Sequence, residues 1–541
     1  MDNLKADVLI AGGGIAGIVA AIELLENDKS VIIFDRDKEE NFGGLAKESF
    51  GGMFFVNSPQ QKRSGIKDTT ELAKQDWYSF AEFEDDNIWG KKWAEKFIDS
   101  TDEVYKWLRT KKVGFFPVVH WVERGLFKPG NSVPRFHMVW GTGYGLIMSL
   151  IEYLKSHKNY DKLQVLFNHK VEEIIAENGK VTGLKVKNEQ NNEEFETFAE
   201  VVIIATGGIN GSMERVRKHW HKDWGTPPEV ILNGSHQYAI GDLHDEAEKL
   251  NANVPNLDKM WNYAAGIRHF NPKRENHGLS LVPPKSALWL NYKGERMGPV
   301  PLMTAYDTRY LVTKICEQEK KYSWQIMNKK IALNELAVSG SEYNDGIKEK
   351  KILKFLSSLI IGNKDFYNEL IEKSEDFIIA DNIDELAEKM NELTGDNSVD
   401  VELLRQSIEN YDDNISRGKK FHNDDQLRRI AHARQYRGDK VRTCKFQKIV
   451  DKKAMPLVAI REFIVSRKSL GGIQTDLQSR VLQKPDSENN QQIIQGLYAA
   501  GEASGFGGGG SHGIRALEGT FLGTCVLTAR VAAEDILKSS N

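Results

Sequence analysis

The chain has 541 residues, too many for a single hydrophobic core, so two or more domains are expected. Hydrophobic residues make up 40% and charged residues 28%, the balance of a globular protein, and a net charge of −4 offers no basic field for nucleic acid. The three cysteines, Cys316, Cys444 and Cys525, lie far apart and form no CxxC, which gives no support to a disulfide framework, a zinc ribbon, a c-type haem or an iron–sulfur cluster; no metal site is expected. No apolar run reaches the ~18 residues of a membrane span. The first strand begins within the first ten residues, which leaves no room for a signal peptide, and a reducing cytoplasm is the expected compartment.

Asp7-Val8-Leu9-Ile10-Ala11 reads as a buried strand running into Gly12-Gly13-Gly14-Ile15-Ala16-Gly17, a GxGxxG match. A helical stretch, Ile18–Glu26, and a second strand, Ser30–Phe34, follow. Asp35 stands at the end of that strand, placed to accept hydrogen bonds from a ribose. This is a complete βαβ dinucleotide-binding unit. Gly12 permits the tight turn, Gly14 admits a pyrophosphate to the backbone, Gly17 allows close packing of helix on strand, and the helix N-terminus offers free amides. Next, Phe42–Met53 holds two Gly-Gly pairs, a loop that suits either close approach to a flat ligand or a flexible surface.

Residues 76–140 are rich in aromatics. Trp89, Trp93 and Phe97 are spaced as one buried helix face, and the remainder suits core or the wall of an apolar pocket. His137 is expected to pack or cap rather than face a site. Residues 163–205 form a strand group in which Val201–Ala205 returns to the central sheet beside the first strand. A short helix follows Gly241-Asp242. Residues 320–435 carry helical periodicity with many Lys, Glu and Asp, and read as solvated helices of a lid. Just before them, Leu288–Val312 gathers a turn and a dense polar cluster. At the far end come Ser469–Asp476, a strand at Ile494–Ala500, Gly501-Glu502, a Gly-rich run to Gly513, and a terminal helix from about Ala516. The second GxGxxG match, Gly505–Gly510, is followed by no strand and is not a second nucleotide fold.

Taken together, GGGIAG with Asp35, the paired glycines at 43–52, ATGG at 205–208, GD at 241–242, SLGGIQTD at 469–476 and GLYAAGEASG at 496–505 resemble the FAD-dependent fumarate reductase and 3-ketosteroid dehydrogenase superfamily, in the family's order along nearly the whole chain. The resemblance implies an α/β fold: a Rossmann-like FAD-binding domain split into 1–250 and 465–541, with an α+β substrate or cap domain at 251–464 inserted between them. It implies that Gly12, Gly14 and Gly17 hold the FAD pyrophosphate, and that Asp35 holds the adenosine ribose. Gly44, Ser49 and Gly52 pass by the pyrophosphate and ring, Val171 meets adenine, and Glu502 binds the ribityl chain. The FAD set is completed by Ile15, Ala16, Arg36, Gly43, Gly51, Ala205, Thr206, Gly207, Gly241, Asp242, Gly501 and Thr520. With Lys47-Glu48-Ser49 where membrane-bound fumarate reductases carry a flavin-linked histidine, non-covalent FAD is expected.

Hydride exchange at a saturated carbon needs a partner that moves a proton at the next carbon and donors that polarise a neighbouring carbonyl. By resemblance the proton mover is Tyr306, in Thr304-Ala305-Tyr306-Asp307-Thr308-Arg309, with Arg309 the rival if the register slips. His512, Arg515 and the Gly519 amide are expected to hold the carbonyl. The expected substrate is a small apolar carbonyl compound, oxidised or reduced at the adjacent CH–CH bond, with an electron acceptor or donor that the sequence does not identify. The alternatives are reduction of a small unsaturated dicarboxylate and a non-catalytic flavin-binding protein.

Overall fold

The computed structural model describes residues 4–488 and 490–539. Among them, the first sheet runs parallel in the order Leu163–Phe167, Val31–Asp35, Val8–Ala11, Val201–Ile204, Ile493–Ala499, and then continues into Lys180–Asn188 and His169–Glu177. Val8 pairs with Val31 on one side and with Val201 on the other. Every residue of Val8–Ala11 is buried, as a parallel strand covered on both faces requires. Val202 pairs with Leu497, so a strand from the last fifty residues closes a sheet begun in the first ten. Helix Ile15–Glu26 crosses between the first two strands and packs on the terminal helix Thr520–Ser539 in one apolar core.

The second sheet is organised by one long strand, Leu457–Ser469. It pairs with Met260–Arg268, Ser323–Asn328, Phe377–Ala380 and Ile231–Asn233. That strand runs unbroken past position 464, and Ile231 pairs with Ile464, so the second sheet draws on residues on both sides of the expected 251–464 insert. At its end, the Ser469 amide donates to Glu502 Oε1 at 2.9 Å, which binds the strand directly to the dinucleotide half.

The aromatic stretch divides between core and cavity wall. Trp93 and Phe97 are buried on helix Ile88–Thr110, while Trp89 is half-buried and donates its indole N–H to Gln491. His137 is packed: Nε2 lies 2.6 Å from Ser58 Oγ and Nδ1 lies 2.7 Å from the Arg135 carbonyl. Helices Ile383–Thr394 and Val401–Ser416 each bury one apolar stripe, as soluble lid helices do. Helix Ile352–Ile361 buries none.

Candidate active site

A single continuous cavity of about 760 Å³ runs from the glycine loop to the face of the second sheet, within the ~300–1,000 Å³ typical of ligand sites. Its dinucleotide end is mostly backbone. Gly12 has φ +103°, a left-handed value, and a Cβ there would fall 2.4 Å from the Ala205 carbonyl oxygen. Gly14 is open: a Cβ on it meets nothing nearer than 4.0 Å, and it starts helix Ile15–Glu26 with no side chain capping the first amides. Free amides and open space at a twelve-residue helix start fit a pyrophosphate. Asp35 is held by the Gly13 amide at 2.9 Å and the Asp37 amide at 2.8 Å, and burial pushes its carboxyl up from the ordinary range. Arg36 stacks 4.6 Å over the Tyr238 ring and is anchored by Glu189, closing the far end beside Val171 and Asp242.

Of the expected cofactor residues, all but Gly17 and Thr520 line this cavity. Gly17 packs instead, since a Cβ there would fall 2.0 Å from the Gly12 carbonyl oxygen. The Thr520 hydroxyl sits in the core, 2.8 Å from His512 Nε2 and bonded to the Leu517 carbonyl at 2.7 Å. Glu502 lies on the wall next to Lys468. Burial raises the carboxyl and lowers the ammonium, and each partly offsets the shift of the other.

The model of the FAD binding domain matches residues 7–522. The chain belongs to this FAD-binding family. It is 38% identical, over 99% of its length and 97% of theirs, to a KsdD-like steroid dehydrogenase of Mycobacterium tuberculosis. In fold it resembles the 3-ketosteroid Δ1-dehydrogenase of Sterolibacterium denitrificans, at a TM-score of 0.70 and 16% identity over 99% of this chain and 100% of that one. It also resembles a flavocytochrome c3 fumarate reductase in its open conformation, at a TM-score of 0.68 and 19% identity over 99% of this chain and 79% of that one. The dinucleotide is therefore FAD, and the fold is the expected split FAD-binding domain with an inserted cap.

Beyond the FAD cradle the wall turns apolar, with Phe116, Val118, Leu281, Trp289, Leu311 and Val338 among its residues. Charged groups interrupt it: Lys285, Glu335, Arg437, Asp439, Arg442 and Arg467 also line the wall. Glu518 Oε2 accepts from the Tyr263 hydroxyl and from Trp261 Nε1, both at 2.9 Å. Lys468 Nζ stands 4.1 Å over the Phe521 ring. Glu123 accepts from the Thr308 amide at 3.1 Å and from the Thr308 hydroxyl; burial, with Asp307 adding to it, pushes its carboxyl up to about 8, so it stays protonated at neutral pH.

The five residues expected to act on substrate fall elsewhere. None of Tyr306, Arg309, His512, Arg515 and Gly519 lines the cavity. Arg309 is buried over the Trp224 ring and paired with Asp223 at 3.0 Å. His512 stacks on Trp77 with ring centroids 5.3 Å apart, and burial lowers its imidazole to about 3, which leaves it neutral. Arg515 pairs with Glu82 and lies 3.4 Å from Asp307, joining the C-terminal loop to the start of helix Thr308–Cys316. Gly519, at φ +99°, accepts the Phe54 amide at 2.8 Å. Tyr306 is buried in the cap core between Arg124 and Arg429, whose guanidinium carbons lie 5.6 and 5.1 Å from its ring, and its hydroxyl has no hydrogen-bond partner among the described residues. Its neighbours Thr304, Ala305 and Thr308 do form the wall.

Sequence reasoning missed Glu123, Tyr263, Lys468 and Glu518. Two of them stood beside residues already singled out: Lys468 directly precedes SLGGIQTD, and Glu518 directly precedes Gly519. Glu123 carried one signal, an acid two residues from Gly125 in a run of aromatics.

Proposed function

We propose that this protein is a dehydrogenase or reductase with non-covalent FAD, acting on the CH–CH bond next to the carbonyl of an apolar, steroid-like substrate. The observation that carries this reading is the continuity of the FAD cradle with a chamber whose wall is mostly apolar, although charged side chains reach it. Its apolar surface accepts a rigid hydrocarbon body. When bound, FAD supplies the hydride exchange. A neutral phenol on the wall, Tyr263, held by Glu518, is in position to exchange the proton at the adjacent carbon. Burial raises Tyr263 well above the ordinary phenol range, which keeps it protonated. Glu123, protonated, is a hydrogen-bond donor for a ketone oxygen.

A second reading keeps the proton with Tyr306. It is favoured by the strained backbone of the residue before it, Ala305 at φ +74°, and by the buried hydroxyl without a partner among the described residues, both beside the cavity wall. Reduction of a dicarboxylate has less support. His512, Arg515 and Arg309 are neutral or already paired away from the cavity, and although Lys285, Arg437, Arg442, Arg467 and Lys468 line it, its surface is mostly apolar.

Anaerobic titration of the holoprotein with 3-ketosteroids tests the reading: the flavin absorbance should bleach. Dithionite-reduced protein that reoxidises with fumarate but not with enones overturns it. Tyr263→Phe should lower turnover by ~10²–10⁴-fold with FAD retained, while Tyr306→Phe stays within about tenfold; the opposite ranking moves the proton to Tyr306.

A further inference from the structure

Helix Ile352–Ile361, ILKFLSSLII, has seven apolar residues in ten and buries none of them. Leu353 and Ile360 are each 80% exposed, and Ile361 is exposed beside them. A lid helix in water hides such a face; the neighbouring Ile383–Thr394 buries Leu386 and Met390. The other side of the same helix belongs to the cavity, whose wall includes Ile352, Phe355, Leu356 and Leu359. Val282 and Val441 line the cavity as well, and both are exposed. The chamber therefore opens to solvent through an apolar rim that continues into the bare helix.

We propose that this rim and helix Ile352–Ile361 dock on an anionic lipid surface, so that the cavity mouth faces the acyl region. Charge selects this occupant. On a chain of net charge −4, residues 345–365 carry five lysines against three acids. Lys350, Lys351, Lys354 and Lys364 are exposed at the ends and flank of the helix; Lys351 pairs with Glu349 and Lys354 with Asp345 at the surface, weak contacts that lipid phosphates can replace. Size points the same way. The helix is about 15 Å long and about 10 Å wide, far less than the ~800 Å² each partner buries in a standard protein interface, but enough to dip an apolar face into headgroups. No helix among the described residues is long and apolar enough to cross a membrane, so the contact is interfacial. Delivery of an apolar substrate from the lipid into the cavity rests on the function proposed above; the docking does not.

Flotation of the holoprotein with vesicles tests it. The protein should float with phosphatidylcholine–phosphatidylglycerol vesicles and less with phosphatidylcholine alone. The triple variant Leu353→Ser, Ile360→Ser, Ile361→Ser touches no cavity residue. It should lose ~10-fold or more of its partitioning with an unchanged flavin spectrum and unchanged turnover of substrate supplied in solution. A wild type that floats with neither vesicle overturns the proposal, as does a variant that floats equally well. A wild-type dimer in light scattering that the variant converts to monomer assigns the helix to self-association instead. Because vesicle binding is read without substrate, a failed steroid titration leaves this result intact.

Discussion

At its dinucleotide end the cavity wall is backbone: Gly12, Gly14 and Gly52 are there because a side chain would fill the space or strike the chain opposite. At its cap end the wall is side chains, and what matters is which way each points. Tyr263 points in from the second sheet, while Tyr306, one residue past Ala305 on the wall, points into the cap core. The two ends also differ in how they hold charge. The FAD end offers amides and a helix start, whereas the cap end buries carboxyls in apolar surroundings and thereby keeps at least one, Glu123, protonated. Recognition through backbone leaves a glycine pattern in the sequence; recognition through side-chain direction leaves none.

The sharpest test of that contrast is at the backbone end. Gly12→Val places carbon against the Ala205 carbonyl and forces an L residue to φ +103°. The protein should then purify without flavin colour; retention of stoichiometric FAD breaks the assignment of the cradle. Next in size is the seam between the ends. Arg515→Met removes the cation beside the buried Asp307, while Glu82 keeps Lys128, which should cost about 2 kcal/mol of unfolding free energy by urea titration, while turnover per folded molecule stays within about threefold. A large loss of turnover at unchanged stability would return Arg515 to the substrate.

The third test is at Glu123, where the effect is spread over pH. Its folded pKa, about 8, lies above the ordinary 4.5. Between these values the folded state holds the proton more tightly than the unfolded chain, so this group's contribution to stability is complete below pH 4.5 and is lost as pH rises to about 8. Glu123→Gln should flatten the fall in unfolding free energy across this window by up to ~1.4 kcal/mol per pH unit. Parallel curves for wild type and variant would show that Glu123 is ionised in the fold.

Much of this was legible in the residues. The first strand, the crossover helix and the return of Val201–Ala205 beside Val8 follow from apolar runs and glycine spacing. The lid helices follow from their periodicity, with Ile352–Ile361 the exception: it lies in the stretch that reads as solvated helices, yet it is mostly apolar, with one side on the cavity wall and Leu353, Ile360 and Ile361 exposed. The cap-end residues were hard to assign because they come from irregular segments. In Thr304–Arg309 and His512–Thr520 no 2.0 or 3.6 repeat tells which side chain faces in, and a single turn at Ala305 or Gly519 re-aims its neighbours.

The sequence by itself therefore determined the cofactor class, the split βαβ core and the order of its pieces, because glycines at strand ends and apolar strands are local requirements of close backbone approach and burial. Tertiary structure alone decided which polar groups share the cavity. Tyr263, Glu518, Lys468 and Glu123 are brought together by strand Leu457–Ser469, the C-terminal loop and the Glu123–Thr308 contact, over separations of up to about 395 residues that no local pattern encodes. The same packing, by burying Arg309 and His512 and pairing Arg515 with Glu82, took them off the wall.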